Sequence, residues 1–267
     1  MGELVFVGLG LHSERGMSLQ GLDETKTAEK VFAELYTSLM PELDLAKLQK
    51  LVGKRITLVS RKDLEDNCGK KLLERAQKGK AVLLIPGDPL IATTHVDLRI
   101  RAERQGIKTR IVHGASIVSA IIGLSSLQNY KFGRSVTVPF TEEGVRADTA
   151  YNVIEENKKR GLHTLCFLDV KAEEKRYMTI AEGLRILLIV EQQERRGVVT
   201  SNTMAIGVAN AGSNQPIVKA DRAKELLEYD FGAPPHSLVF LGKLHFMEAE
   251  ALLVLAKAPE TVEELVE

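Results

Sequence analysis

The residues best suited to chemistry lie in two short loops, Gly8-Leu9-Gly10-Leu11 and Pro86-Gly87-Asp88-Pro89-Leu90, each directly after an apolar run. A continuous apolar run ending in Pro-Gly fits a parallel-sheet strand buried on both faces, which predicts strands over Leu4–Val7 and Ala81–Ile85. Two prolines bracket Gly87-Asp88 and stiffen the turn, while Gly87 lets its backbone approach a ligand with no Cβ in the way. Thr94 followed by Asp97 resembles a capping box and predicts a helix from Thr94 to Gln105. Both loops then sit at the carboxyl ends of strands, where open α/β sheets bind ligands. Taken singly, either loop also fits an ordinary tight turn.

The type of ligand follows from what the loops lack. Gly8-Leu9-Gly10 begins a dinucleotide fingerprint, but its third glycine position holds Ser13, and the strand predicted at Ile56–Val59 ends in Ser60-Arg61-Lys62 with no acidic residue for a ribose. There is no GxxxxGK[ST] word, no GxSxG and no HExxH, which removes P-loop phosphate binding, the simplest hydrolases and the commonest zinc spacing. What remains is a set of small-residue loops: the two above, His113-Gly114-Ala115-Ser116-Ile117, the Leu168-Asp169-Val170 strand end, Ala209–Asn214 and Gly232–Ser237. Such loops present backbone N–H and C=O groups beside apolar side chains, a combination that suits an adenine nucleoside.

The elements that position these loops fall into two halves. Strands at Leu4–Val7, Val31–Glu34, Ile56–Val59, Ala81–Ile85 and Lys108–Val112 alternate with helices at Ser18–Ala28, Asp44–Leu51, Cys68–Gln77 and Thr94–Gln105, which predicts a mostly parallel sheet. Beyond Gly114 a short apolar helix, Ile117–Ile122, is followed by strands at Ser135–Val138, Thr164–Asp169, Met204–Asn210 and Ser237–Gly242. Long helices are predicted at Ala147–Arg160 and Thr179–Gln193, the second opened by a Thr179/Glu182 capping box. The domains predicted are residues 1–113 and 114–267, with Pro259–Glu267 a solvated tail or a final helical turn.

Composition narrows the class. The 267 residues carry 36 basic and 36 acidic side chains, so no net field favours nucleic acid or an anionic membrane. Forty-four per cent hydrophobic and 27% charged residues make an ordinary globular mixture. Cys68 and Cys166 form no CxxC and fit a reducing compartment. The start MGELVF carries no basic leader and Phe6 stands where a myristoylation signal needs Ser or Thr, so a cytoplasmic protein is expected.

End to end the chain resembles the diphthine synthase family of the tetrapyrrole-methylase-like fold. The words that carry the resemblance are FVGLGL, VFAELYTSLM, PGDPLIATTHVDLRIRA, HGASI, YKFG, RGLHTLCFLDVKAEE, YMTIAE, VANAGS, DFGAPPHSLVF and GKLHFMEAE. YTSLM, PGDPLIATTH and GKLHFMEAE are specific to that family, whereas GLGL or FLD alone is not. Porphyrin-methylating relatives usually carry GPGD in the first loop, which here reads GLGLHSERG, and the ribosomal-RNA ribose methylases of this fold have SDAGTP-like wording in the fourth.

This resemblance implies two α/β domains with the cofactor in the cleft between them, and S-adenosyl-L-methionine as methyl donor, leaving S-adenosyl-L-homocysteine. It implies cofactor contacts from Leu11, Asp88, Ile91, Ser116, Ile117, Leu168, Ala211 and His236. The substrate it implies is a histidine of translation elongation factor 2 already bearing a 3-carboxy-3-aminopropyl arm, whose amino group is methylated, up to a trimethylammonium. A homodimer is implied as well, with neither nucleic acid nor membrane as partner and no metal. Cys166 stands where the family is usually aliphatic and reads as a small buried hydrophobe. Methyl transfer from a sulfonium to a neutral amine needs little beyond alignment, worth roughly 7–11 kcal/mol, so no catalytic residue is assigned. Asp88 reads as a cofactor or loop-holding residue, and His236 as a packing or nucleoside contact rather than a base. Two other readings stay open: the same fold methylating a tetrapyrrole or other small metabolite, and a non-catalytic nucleotide-binding adaptor of a translation factor.

Overall fold

A computed structural model describes residues 2–141 and 146–267. By its internal contacts the chain divides into two compact units: Met1–Ile117 with Ala172–Lys175, and Val118–Lys171 with Arg176–Glu267.

In the first unit the strands are β1 (Glu3–Gly8), β2 (Lys30–Ala33), β3 (Ile56–Leu58), β4 (Lys80–Ile85) and β5 (Lys108–Val112), in the order β3-β2-β4-β1-β5 and all parallel. The central pair explains the apolar runs: Leu4–Val7 and Ala81–Leu84 are fully buried because helices cover both sheet faces. Those helices are α1 (Leu19–Thr27), α2 (Leu45–Val52), a short α3 (Arg61–Leu64), α4 (Lys70–Lys78) and α5 (Val96–Arg104). Ser18 and Asp44 cap α1 and α2 by accepting backbone N–H bonds, the expected use of Ser and Asp at those positions. The expected capping box at Thr94 and Asp97 does not form: α5 starts two residues later, at Val96, and the Thr94 hydroxyl donates instead to Glu65 Oε1 at 3.1 Å. An ion cluster ties the unit together, with Arg110 of β5 reaching Glu3 of β1 at 2.7 Å and Glu24 of α1 at 2.6 Å. The hydrogen bond from Arg110 is the main reason Glu24 is held down to about 2.

The second unit holds α6 (Ile117–Ser125, of which Ile117 belongs to the first unit), β6 (Val136–Val138), α7 (Asp148–Lys159), β7 (Thr164–Leu168), the two short strands β8 (Val170–Lys171) and β9 (Arg176–Tyr177), α8 (Ile180–Glu194), β10 (Met204–Ala209), β11 (Ile217–Arg222), α9 (Ala223–Glu228), β12 (His236–Phe240) and α10 (Phe246–Leu255). Its main sheet runs β11-β10-β12-β7-β6 and is antiparallel except for the β6–β7 pair. The Thr179/Glu182 capping box opens α8, with Glu182 N–H on the Thr179 hydroxyl and Thr179 N–H on the Glu182 carboxylate. Cys166 is fully buried and burial pushes its thiol pKa up, the behaviour of an inert small hydrophobe. The last residues are not a free tail: Glu260–Leu265 forms a 3-10 helix with Val262 buried, and Val266 bridges Leu244. Among the described residues no helix is long and apolar enough to cross a membrane.

A buried polar network holds α10 to this sheet. His163 Nδ1 accepts from Gly242 N–H at 3.0 Å, so the ring proton sits on Nε2 and points to Glu248 Oε1 at 3.3 Å. Burial alone would raise the Glu248 pKa, but the N–H groups of Gln128 and His245 and the charges near it outweigh this and hold it low. Removing the carboxylate strands every one of these donors. Glu248→Ala is therefore expected to cost about 3 kcal/mol or more, read from the denaturant midpoint, and a cost below about 1 kcal/mol would show the network to be dispensable.

Candidate functional site

Each unit gathers its small-residue loops at one place. In the first, Gly10 and Gly87 exchange backbone hydrogen bonds, Gly87 N–H to Gly10 C=O at 2.7 Å and Gly10 N–H to Gly87 C=O at 3.2 Å. The loops after β1 and β4 are thereby joined beyond the ends of their strands. The loop after β5 closes onto the same place, since a Cβ on Gly8 would lie 2.6 Å from Gly114 N and one on Gly114 would lie 2.5 Å from Gly87 O. Gly87 has a φ of +72°, so any side chain there is strained even though its Cβ direction is open to within 3.9 Å of Ala115 O.

Asp88 is 7% exposed and its carboxylate is engaged twice. Oδ1 accepts from Leu90 N–H at 3.2 Å and fixes the turn, while Oδ2 accepts from His113 Nδ1 at 2.7 Å. The carboxylate therefore braces the β4 loop against the β5 loop. Leu11 is half-buried, Ile91 is 48% exposed, and Ser116 and Ile117 are half-buried at the start of α6. The structure thus brings Asp88 and the Gly114 loop together, and leaves Ile91 as an apolar side chain open to a ligand.

In the second unit, Leu168 ends β7, Ala211 follows β10, and His236 opens β12 opposite Ala209. Asn210 links the last two loops, its N–H donating to Pro235 C=O at 3.0 Å and its side chain to Ala233 C=O at 3.3 Å. Leu168 is buried in the core against α8, so its backbone rather than its side chain is what the strand end presents. Asp169 beside it is occupied holding the Phe140 and Val170 N–H groups. His236 is 8% exposed. Its Nδ1 accepts from Ile180 N–H at 3.2 Å, which places the ring proton on Nε2, and Nε2 is buried without a hydrogen-bond partner. Burial holds its pKa low, against the nearby backbone carbonyls of Phe231, Ala233 and Gly232, none of which stands in hydrogen-bond geometry with Nε2. A neutral ring with an unpaired buried N–H is a donor awaiting an acceptor.

Sequence reasoning gives no role to four residues of the first unit. His113 enters the sequence analysis only as the first residue of a small-residue loop, yet it is the partner of Asp88. Glu34, Tyr36 and His95 form a buried cluster at the ends of β2 and β4; the signal was their place inside the family words ELYTSLM and PGDPLIATTH. Glu34 Oε2 accepts from the N–H groups of Tyr36 and Thr37, and His95 Nδ1 contacts the Thr93 hydroxyl. Burial raises the Glu34 pKa and pushes His95 down to about 4. Among the described residues no group of three His, Cys, Asp or Glu side chains is arranged to hold a metal ion.

Comparisons with known proteins bear on the family and the fold. The profile of the Tetrapyrrole (Corrin/Porphyrin) Methylases matches residues 3–227. A diphthine synthase of Methanosarcina mazei is 46% identical over 99% of this chain and 100% of its own, and one from Methanocaldococcus jannaschii is 45% identical over 95% and 99%. A crystal structure of diphthine synthase superposes with a TM-score of 0.89 at 42% identity, covering 98% of this chain and 99% of that one. Fold and loops define a methyltransferase of the tetrapyrrole-methylase type. Within that class the chain belongs to the diphthine synthase family.

Two outcomes follow from the geometry. Gly87→Val is expected to weaken binding of S-adenosylhomocysteine at least about tenfold by calorimetry, because it forces a φ near +72° on a branched residue and loosens the bonds to Gly10. Asp88→Ala is expected to weaken it less; equal, wild-type affinity in both would reduce the loop to a turn. The second outcome concerns pH. His95 titrates near 6.5 unfolded but near 4 folded, so the folded state disfavours its protonation. Its neutral form contributes fully above pH 6.5, and about 3 kcal/mol is lost as pH falls from 6.5 to 4. His95→Asn is expected to flatten the stability profile over that window in denaturant titrations, and an unchanged acid limb would contradict the assignment.

Proposed function

We propose that the protein uses S-adenosylmethionine to methylate the amino group of the 3-carboxy-3-aminopropyl arm on a histidine of translation elongation factor 2, adding up to three methyl groups. The observation that carries the cofactor reading is His236 Nε2, a buried N–H without a partner beside a loop of small residues. An adenine nitrogen or ribose oxygen supplies the missing acceptor. Leu11, Asp88, Ile91, Ser116 and Ile117 of the first unit and Leu168, Ala211 and His236 of the second are the proposed contacts.

When bound, the cofactor supplies a methyl group already activated on a sulfonium. The protein's share is positioning. Backbone groups of the glycine loops orient the nucleoside, Ile91 and Ile117 provide apolar surface, and Asp88 keeps its loop in place through His113. The acceptor amine must be neutral to attack, and an apolar setting favours that form. Asp88, engaged by both oxygens, is not the base in this reading. The enzyme is read as a cytoplasmic homodimer.

The test is mass spectrometry of elongation factor 2 bearing the arm, incubated with this protein and S-adenosylmethionine. Addition of one to three methyl groups at that histidine is the expected result. Tight cofactor binding with an unmodified factor would favour an adaptor, and methylation of a tetrapyrrole instead would move the protein to its fold-mates' chemistry.

A further inference from the structure

Among the described residues of the first unit, three buried side-chain polar atoms have no hydrogen-bond partner: His12 Nδ1, Tyr36 Oη and His95 Nε2. They lie in the loops leaving β1, β2 and β4, three adjacent strands of the parallel sheet. Tyr36 and His95 are 7% and 2% exposed, and their rings stand 6.4 Å apart. Glu34, fully buried, belongs to the same cluster, with Oε1 3.7 Å from His95 Nε2, beyond hydrogen-bond reach.

The unused capacity of this cluster is specific. A carboxylate accepts about four hydrogen bonds, and Glu34 receives three, from the N–H groups of Tyr36 and Thr37 and from the Thr37 hydroxyl. The remaining lone pair is on Oε1, the oxygen nearer His95. The Glu34 carboxylate 3.7 Å from His95 Nε2 favours the tautomer with the proton on Nε2, which makes Nε2 a donor and lets Nδ1 accept from the Thr93 hydroxyl, and the Tyr36 hydroxyl can donate or accept. Arg61 lies 5.4 Å over the Tyr36 ring and its charge acts on Glu34, while the Glu65 carboxylate lies near the Tyr36 hydroxyl. An apolar ligand would leave these atoms unpaired, and a phosphate would meet Glu34 as a like charge. A group with one cationic and one anionic end satisfies both donor and acceptor without bringing net charge into a buried place.

We propose that Glu34, Tyr36 and His95 form a seat for an α-amino-carboxylate head group, namely the arm of the acceptor that carries the methylated nitrogen. The assignment rests on the functional reading above. Tyr36 and His95 take the carboxylate, and Glu34 takes the ammonium, whose proton passes to the Glu34 carboxylate before the nitrogen attacks as the neutral amine. The methionine end of the cofactor has the same chemistry, so the test separates the two sources.

Tyr36→Phe removes one oxygen that has no partner in the free protein, so the fold is retained. The variant is expected to raise KM for elongation factor 2 bearing the arm about tenfold or more, while the Kd for S-adenosylhomocysteine stays within about twofold of wild type. A weakened Kd for S-adenosylhomocysteine, with unchanged binding of 5′-methylthioadenosine, which lacks the amino-acid end, would assign the seat to the cofactor and overturn the proposal. Wild-type values of both constants would show that the hydroxyl meets neither. A wild-type enzyme that binds S-adenosylhomocysteine but leaves the factor unmodified would remove the functional reading and the seat with it, a result distinct from failure of the variant alone.

Discussion

The reciprocal backbone bonds between Gly10 and Gly87 are the constraint on which the first unit's site depends. Parallel strands end with unpaired backbone groups, and loops leaving them normally diverge. Here two loops remain paired past the strand ends, and Gly8 and Gly114 let a third approach closer than any Cβ allows. Asp88 then spans from the second loop to His113 on the third. Rigidity at this point is set by main-chain geometry, and side chains such as Leu11 and Ile91 take no part in it and stay partly exposed.

The second unit reaches a similar end by a different route. Its sheet is mainly antiparallel, so Ala209 and His236 meet as cross-strand neighbours at the mouths of their loops. One ring nitrogen of His236 is spent on the first turn of α8, and the other is held buried, neutral and unpaired. An unsatisfied buried donor is costly, and an acceptor on a ligand repays that cost. Glu34, Tyr36 and His95 show the same condition in the first unit, which sets both places apart from the His163–Glu248 network, where each partner is satisfied.

Much of the fold was legible because its signals are local. The strand from Lys108 to Val112 was readable from the alternation of strands and helices, and the Thr179 cap from a four-residue pattern. β11 was not: Ile217–Arg222 is a sheet-edge strand with only Ala220 buried, so alternation never becomes strong. α10 hid for the opposite reason, being apolar on all sides, with Phe246, Met247, Val254 and Leu255 exposed. The Thr94 cap failed because a residue 29 positions away claimed its hydroxyl, and no local pattern reveals that. The same limit hid the link from His113 to Asp88 and the burial of Glu34, which are properties of packing. The family words point to particular loops, and the contacts within those loops come from packing that no local pattern shows.

The central claim is that these small-residue loops hold an adenosyl cofactor, with the buried His236 N–H as one of its fixed donors. The most direct measurement is a crystal structure of the protein with S-adenosylhomocysteine. The account expects the nucleoside to place an oxygen or nitrogen within hydrogen-bond distance of His236 Nε2. A cofactor bound elsewhere, or a complex in which His236 Nε2 still has no acceptor, would contradict it.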